Sequence, residues 1–201
     1  MDQTRFFLMS EVTFGNDGDY SDTNMVLKVN ANLANELGNL CQRTLSMVYK
    51  NCGKAIPLPG PFTVEDDALL DSARNMREKA GAAIADQAIL KYVQVVVGMI
   101  WEANKYIDTM APWALKKSDP DRMATVLYVV LEVMRYSAIM YQPLIPSSAN
   151  NILDQLQVPK DERTFLHLND DYKVKPGASI SKPQAVFPRL EVPEAELVET
   201  K

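Results

Sequence analysis

The sequence predicts an all-α antiparallel helix bundle with an extended C-terminal tail. Three observations point there. Apolar residues recur at helical spacing through most of residues 3–156, the pattern of helices with one buried face. Prolines fall between those stretches, at 57, 59, 61, 112, 120, 143 and 146, where they bound helices instead of interrupting them. The 8 glycines supply no repeating hairpin punctuation, and their one cluster, Gly15-Asn16-Asp17-Gly18-Asp19, reads as a loop between two helical patterns.

The first helix is expected over residues 3–12, with Phe6, Phe7, Leu8 and Met9 as its buried content. Asp19, Tyr20, Ser21 and Asp22 then form an N-cap zone for a long helix towards Lys50, carrying Met25, Leu27, Val29, Leu33, Leu37, Leu40, Leu45 and Val48. Asn30, Asn32, Asn35 and Gly38 lower helix propensity in its middle, which predicts a kink or bend there. Pro57-Leu58-Pro59-Gly60-Pro61 is an extended connector. Thr63 caps the next helix, and Glu65, Asp66 and Asp67 favour its positive N-terminal end. A further helix spans about residues 86–110, stopped by Ala111-Pro112, with Trp113-Ala114-Leu115 as the next turn. Asp119 and Pro120 open another through Tyr141, and a shorter one covers residues 147–156. From Val158 onward prolines recur at 159, 176, 183, 188 and 193. The chain therefore divides into a helical domain, 1–157, and an irregular extension, 158–201, anchored by Ile180, Val186, Phe187 and Leu190.

Composition excludes several functions. With 47% hydrophobic and 23% charged residues the 201-residue chain can build a packed core. A net charge of −5 is not that of a polycation coating nucleic acid, although a local basic groove is compatible with it. One histidine, His167, and two cysteines, Cys41 and Cys52, are too few for most zinc sites, a disulfide framework or any signature needing two histidines. The N-terminus has no secretory pattern, and the longest apolar run, residues 95–101, is far short of the ~20 residues of a membrane span. The expected setting is the cytoplasm or an organelle (mitochondrion or plastid), not secretion.

No catalytic or metal constellation emerges. His167 has no nucleophile nearby in sequence and is expected to be structural. Glu65-Asp66-Asp67 reads as a dipole-compensating cap, and Asn16-Asp17-Gly18-Asp19 lacks the register and closing Glu of a calcium loop. Binding chemistry is better represented. Asn39 and Arg43 lie one helical turn apart, where an amide and a guanidinium fork suit the polar edge of a base. On spacing alone the plainer arrangement is favoured, with Asn39 on backbone and Arg43 paired to an acid. Trp113 follows a helix break, with Lys116 and Lys117 after it and Asn104 and Lys105 before it. An aromatic beside cations can stack an unpaired base and hold its phosphate; equally, the ring can plug the bundle end. Trp101, set in Val97-Gly98-Met99-Ile100, is expected in the core, as are Met99, Met123, Met134 and Met140.

Four ordered segments carry a resemblance that covers nearly the whole chain. The stretch from Phe6-Phe7-Leu8-Met9-Ser10-Glu11 through Gly18-Asp19-Tyr20-Ser21 resembles the segment just beyond the catalytic half of methionyl-tRNA synthetases. Asn35-Glu36-Leu37-Gly38-Asn39-Leu40-Cys41-Gln42-Arg43 is similar to that family's "N-x-L-G-N-L-x-x-R" helix. Asn104-Lys105-Tyr106-Ile107-Asp108 leading to Ala111-Pro112-Trp113 matches its "N-x-Y-I-D-x-x-A-P-W" stretch, and Phe187-Pro188-Arg189 its closing "F-P-R".

The resemblance implies a class I aminoacyl-tRNA synthetase in which a nucleotide-binding catalytic domain precedes a helical anticodon-binding domain. The catalytic half uses a two-histidine signature and a Lys-Met-Ser-Lys-Ser loop, neither of which occurs here. The chain thus resembles the anticodon-binding domain alone, and by itself is expected to be inactive in methionine–tRNA ligation. ATP and methionine would be used only in the catalytic domain, and no cofactor is expected on this chain. The implied partners are tRNA(Met) and that catalytic domain, with neither membrane nor DNA. In the family, an Asn and an Arg one turn apart and the Trp of "A-P-W" recognise the first anticodon base, a cytosine; those roles fall on Asn39, Arg43 and Trp113. Lys105, Lys116 and Lys117 are phosphate-contact candidates. The competing function is a helical partner-binding scaffold derived from that domain. In the family the tail straps back towards the catalytic domain, so without it Ile180, Val186, Phe187 and Leu190 are expected to form an exposed apolar patch.

Overall fold

In the computed structural model, which describes residues 1–13, 15–18 and 20–191, the helical pattern becomes eight α-helices and one π-helical segment. They are α1 (Asp2–Glu11), α2 (Asp22–Val29), the π-helix (Asn30–Gly38), α3 (Asn39–Asn51), α4 (Val64–Ala85), α5 (Ile89–Met110), α6 (Pro112–Ser118), α7 (Pro120–Tyr141) and α8 (Pro146–Gln155). Three short 3₁₀ turns come after α8. The only β pairing among the described residues is an isolated bridge between Ala55 and Ser179.

Local chemistry sets the boundaries. Ser21 Oγ accepts the Asn24 N–H at 3.0 Å and starts α2. Thr63 and Asp66 form a reciprocal capping box at the start of α4. Asp119 accepts the Arg122 N–H to start α7, with Pro120 at the first helical position. The expected kink at Asn30–Gly38 takes another form. The backbone stays right-handed throughout, but bonds widen to the π register, as from the Asn39 N–H to the Ala34 carbonyl. The low-propensity residues there serve the tail instead. Asn30 exchanges two hydrogen bonds with the Leu190 backbone at 2.9 Å, and Gly38 leaves room for Phe187, whose ring would lie 3.4 Å from a Cβ there.

The core is organised around α7, in which residues 125–141 are all buried. Helices α3, α4, α5, α6 and α8 pack on it, and α1 and α2 pack on each other beside α5. A helix surrounded on all sides is apolar on all sides. By length and composition α7 could cross a membrane, but 94% of that stretch is buried inside the bundle. Met99, Met123, Met134 and Met140 are all buried as expected. Trp101 is not: it is 55% exposed. Ile100 and Val97 turn inward, and one residue further the helix has rotated about 100°, so an apolar neighbourhood in sequence does not make an inward position. Leu8 and Leu27 face outward for the same reason, while Phe6 and Phe7 fill the inner side of α1.

The tail is not an exposed patch. Ile180 and Phe187 are buried, and Val186 and Leu190 pack half-buried on the same core as the helices. Backbone bonds join it to the connector after α3: Ile56 N–H to the Ala178 carbonyl, Gly177 N–H to the Ile56 carbonyl and Ile180 N–H to the Lys54 carbonyl, at 2.8–2.9 Å. A buried ion pair on α7 holds its beginning. Arg135 binds Glu132 with Nη2 at 2.6 Å and the His167 carbonyl with Nη1 at 2.7 Å, while Glu132 accepts the Val174 N–H at 3.0 Å. The anchors expected to need a catalytic domain for cover are covered by the bundle instead. Residues 192–201, with Pro193, lie outside the described residues.

Cys41 is buried, and burial pushes its thiol up to about 12; Cys52 is half-buried and raised by the same cause. A thiol reagent at pH 8 is therefore expected to modify Cys52 slowly and Cys41 only after urea unfolding. Peptide mapping that finds Cys41 labelled in the native protein would contradict this packing.

Candidate functional site

The conformation of one residue presents Trp113. Ala111 ends α5 in the left-handed region, at φ 43° and ψ 58°, and Pro112 opens α6 at once. A non-glycine residue there costs about 1–2 kcal/mol, so the surroundings must hold it. Pro112 is buried, and beneath the corner lies fully buried Asp66 from α4. Its carboxylate accepts Arg122 Nη2 from α7 at 2.7 Å, Tyr106 Oη from α5 at 2.5 Å and the Thr63 N–H at 3.0 Å. Arg122 also reaches Met110 Sδ at 3.7 Å. Burial alone would raise the Asp66 pKa, but the hydrogen bonds from Arg122, Tyr106 and Thr63 together hold it below the ordinary value. Burial, reinforced by Asp66, pushes the Tyr106 phenol well up. Three helices are thus tied at the corner from which Trp113 emerges, 49% exposed.

Arg43 faces that ring from α3, its guanidinium carbon 5.9 Å from the ring centroid. Nη1 bonds Asp108 Oδ1 at 2.9 Å and Nη2 reaches Asn104 Oδ1 at 3.4 Å; Asn104 is held in turn by Glu36 Oε2 at 2.7 Å. Arg43 Nε is buried with no partner among the described residues. The cleft between ring and guanidinium has a volume of about 410 Å³ and is lined mainly by Met47, Ile107, Trp113 and the stems of Arg43, Lys50 and Lys116. Its chemistry is an apolar slot with a planar donor fork on one wall. Arg43 is half-buried but its partner Asp108 is exposed, so the pair is worth only about 0.2–1 kcal/mol and can exchange for another acceptor.

The other candidates are distributed unevenly. Asn39 is exposed one turn before Arg43 and lines a second cleft of about 400 Å³, between the π-helix and the tail. Lys116 lines the Trp113 cleft. Lys117 is exposed on the last turn of α6. Lys105 opens instead onto a separate groove between α4 and α5, beside Glu65 and Glu102. His167 hydrogen-bonds Thr164 and packs edge-on against Tyr172.

Comparison with known proteins decides what kind of chain carries this cleft. Residues 56–201 match the family model described as the anticodon binding domain of methionyl tRNA ligase, and residues 1–45 match that of the class I tRNA synthetases (M). The chain belongs to the methionyl-tRNA ligase family. It is 47% identical over 189 residues to the methionine–tRNA ligase of Mesorhizobium japonicum, covering 94% of this chain and 37% of that protein. The Rickettsia felis ligase is 46% identical over 194 residues, 95% of this chain and 38% of its own. The chain therefore spans little more than a third of these relatives' length. Among solved structures, free Mycobacterium tuberculosis methionyl-tRNA synthetase superposes with a TM-score of 0.91 at 42% identity, over 96% of this chain and 39% of that one. The all-α fold is thus that of the methionyl-tRNA ligase anticodon-binding domain.

The sequence expectation of Arg43 paired to an acid is met by Asp108, while the Asn104–Glu36 link behind it is not expected from the sequence. Asn104 and Asp108 are four apart on α5, and Glu36 is seven before Arg43, so helical spacing puts each pair on one face, and only the packing of the helices sets the two rows against each other.

Proposed function

We propose that this chain binds the anticodon of tRNA(Met), as the anticodon-binding part of a methionine–tRNA ligase used in protein synthesis. The observation that carries this is the half-exposed Trp113 standing across an open cleft from Arg43. Trp113 stacks on the first anticodon base, a cytosine, and Arg43 and Asn39 read its edge. Arginine donors suit the O2 and N3 acceptors of cytosine, and an asparagine carbonyl suits its N4 amino group. To do so Arg43 gives up Asp108, an exchange of one exposed partner for a desolvated one. Lys116 lies where a phosphate of that nucleotide would pass; Lys117 and Lys105 are more distant contacts. ATP and methionine belong to the catalytic part of the relatives, so this chain alone does not aminoacylate. It works in the cytoplasm or in an organelle that translates.

Fluorescence anisotropy of a labelled methionine anticodon stem-loop tests this. Trp113→Ala is expected to cost about 1–3 kcal/mol, some 5- to 150-fold in affinity, and to erase the preference over an RNA with the first anticodon base changed. The ring is half out of the fold, so stability should hardly move. Unchanged binding in the variant, or equal weak binding of both RNAs by the parent, would instead favour a partner-binding scaffold.

A further inference from the structure

The groove onto which Lys105 opens runs well beyond that residue. Two clefts between α4 and α5, of about 370 and 230 Å³, share Ser72 and Glu102 and so form one trough along most of both helices. α4 packs inward on α5 and α7, and this outer side faces solvent. The floor of the trough is apolar, with Leu69, Met76, Met99 and Tyr106. Small residues keep its middle open, and a Cβ added to Gly98 would meet nothing within 4 Å. Four exposed charges line it: Glu65, Lys79, Glu102 and Lys105. None of them makes an ion pair among the described residues.

The order of those charges selects the occupant. Glu65 and Lys79 stand seven residues either side of Ser72, about 10 Å from it each way along α4. A second α4 laid antiparallel over the first, Ser72 on Ser72, therefore sets each Glu65 against a Lys79. α5 runs opposite to α4, and its Glu102 and Lys105 lie one turn apart beside Ser72. The same two-fold axis thus sets Glu102 of each copy against Lys105 of the other, and one symmetry operation matches all four charges. Lys105, a distant phosphate contact above, turns in this arrangement to Glu102 of the second copy. With 22 residues each, α4 and α5 are about 33 Å long, and at the usual spacing their common face covers about 600 Å². Two such faces bury about 1,200 Å², the lower edge of stable interfaces. We propose that this trough is a self-association face, on which α4 and α5 of a second copy of this chain pack antiparallel. It lies on a different side of α5 from Asn104 and Asp108, which bind Arg43, so the Trp113 cleft stays open in the dimer. The proposal stands or falls independently of the anticodon reading.

The test is sedimentation velocity of the full chain over about 5–500 µM, because an interface of this size and polarity is expected to dissociate at about 10–100 µM. The parent should pass from monomer to dimer over that range, and less completely in about 0.5 M salt, where exposed pairs are screened. Glu65→Lys and Lys79→Glu each oppose like charges at two places, and each should weaken the dimer about tenfold or more. Mixed in equal amounts, the two variants should associate with each other nearly as tightly as the parent does, because every Lys then meets a Glu. Both positions are exposed, so melting should hardly move, and recovery in the mixture shows that each variant is folded. A parent that stays monomeric at the highest concentration overturns the proposal. So does a dimer that either single variant leaves intact, or one that the mixture does not restore.

Discussion

Arg135→Ala is expected to lower the free energy of unfolding by about 3–5 kcal/mol, the cost of leaving one member of a buried ion pair uncompensated. Arg135 is the largest fully buried side chain, on a helix whose neighbours are almost all apolar. Removing it leaves Glu132, 2% exposed at its side chain, with only the Val174 N–H to satisfy it, and strips donors from the His167 and Asn169 carbonyls. In a chain of this size each kcal/mol is worth about 2–4 °C, so the melting temperature should fall by about 6–20 °C. Tail and bundle share this pair, so protease cleavage should appear first in residues 158–175. A loss below 1 kcal/mol in urea titration would mean that water reaches the pair. Converting both partners to apolar residues, Arg135→Met with Glu132→Leu, should recover part of the loss. It should not recover all of it, because the Val174 N–H and the tail carbonyls would remain unpaired.

That pair also shows what the sequence makes legible. Helical spacing and proline punctuation locate α4, α5, α7 and α8 within a few residues, because the burial of one face and the loss of an N–H are local effects. The segments carrying the family resemblance likewise bring Arg43 and Trp113 to one cleft. What depends on distant chain is not legible in this way. Glu132 and Arg135 look like an ordinary i,i+3 surface pair until the tail folds over them. Asp66 looks like the middle member of an acidic cap, and it is that, but its side chain also meets two other helices. Trp101 has apolar neighbours and an outward register, and only the second matters. In sequence the tail shows no cover, because its partners, Asn30, Gly38 and Ile56, lie far away along the chain. Asn30 and Gly38 read as helix-weakening residues when they are the tail's landing points.

Asp66→Asn keeps the shape of the corner beneath Trp113 and removes its charge, and it is expected to cost about 3 kcal/mol at pH 7. The carboxylate takes both arms of Arg122, the Tyr106 hydroxyl and the Thr63 N–H, so an amide must turn an NH₂ towards at least one of these donors. The pH dependence distinguishes charge from shape. Burial works against ionisation at Asp66, and the Arg122, Tyr106 and Thr63 hydrogen bonds more than offset it, so the folded pKa lies below the ordinary 3.8. A depressed pKa means that the unfolded chain takes up a proton first as pH falls. Asp66 therefore stabilises the fold fully above about 3.8, and this contribution is lost as pH drops through the lower folded value. The stability gap between parent and Asp66→Asn should be constant from pH 7 to about 5 and close progressively below 3.8. Asp170 is depressed in the same direction by Lys173 and Arg74, against the effect of its burial, but it is present in both proteins and cancels in the difference. A gap of equal size at pH 3 and pH 7 would show that the corner is held by packing and not by the carboxylate. Arg122, released from Asp66, also reaches Met110 just before the Ala111 turn, so RNA affinity should fall with the mutation even at temperatures where the variant is fully folded. Unimpaired binding in a destabilised Asp66→Asn would mean that Trp113 is positioned by Pro112 and α6 alone.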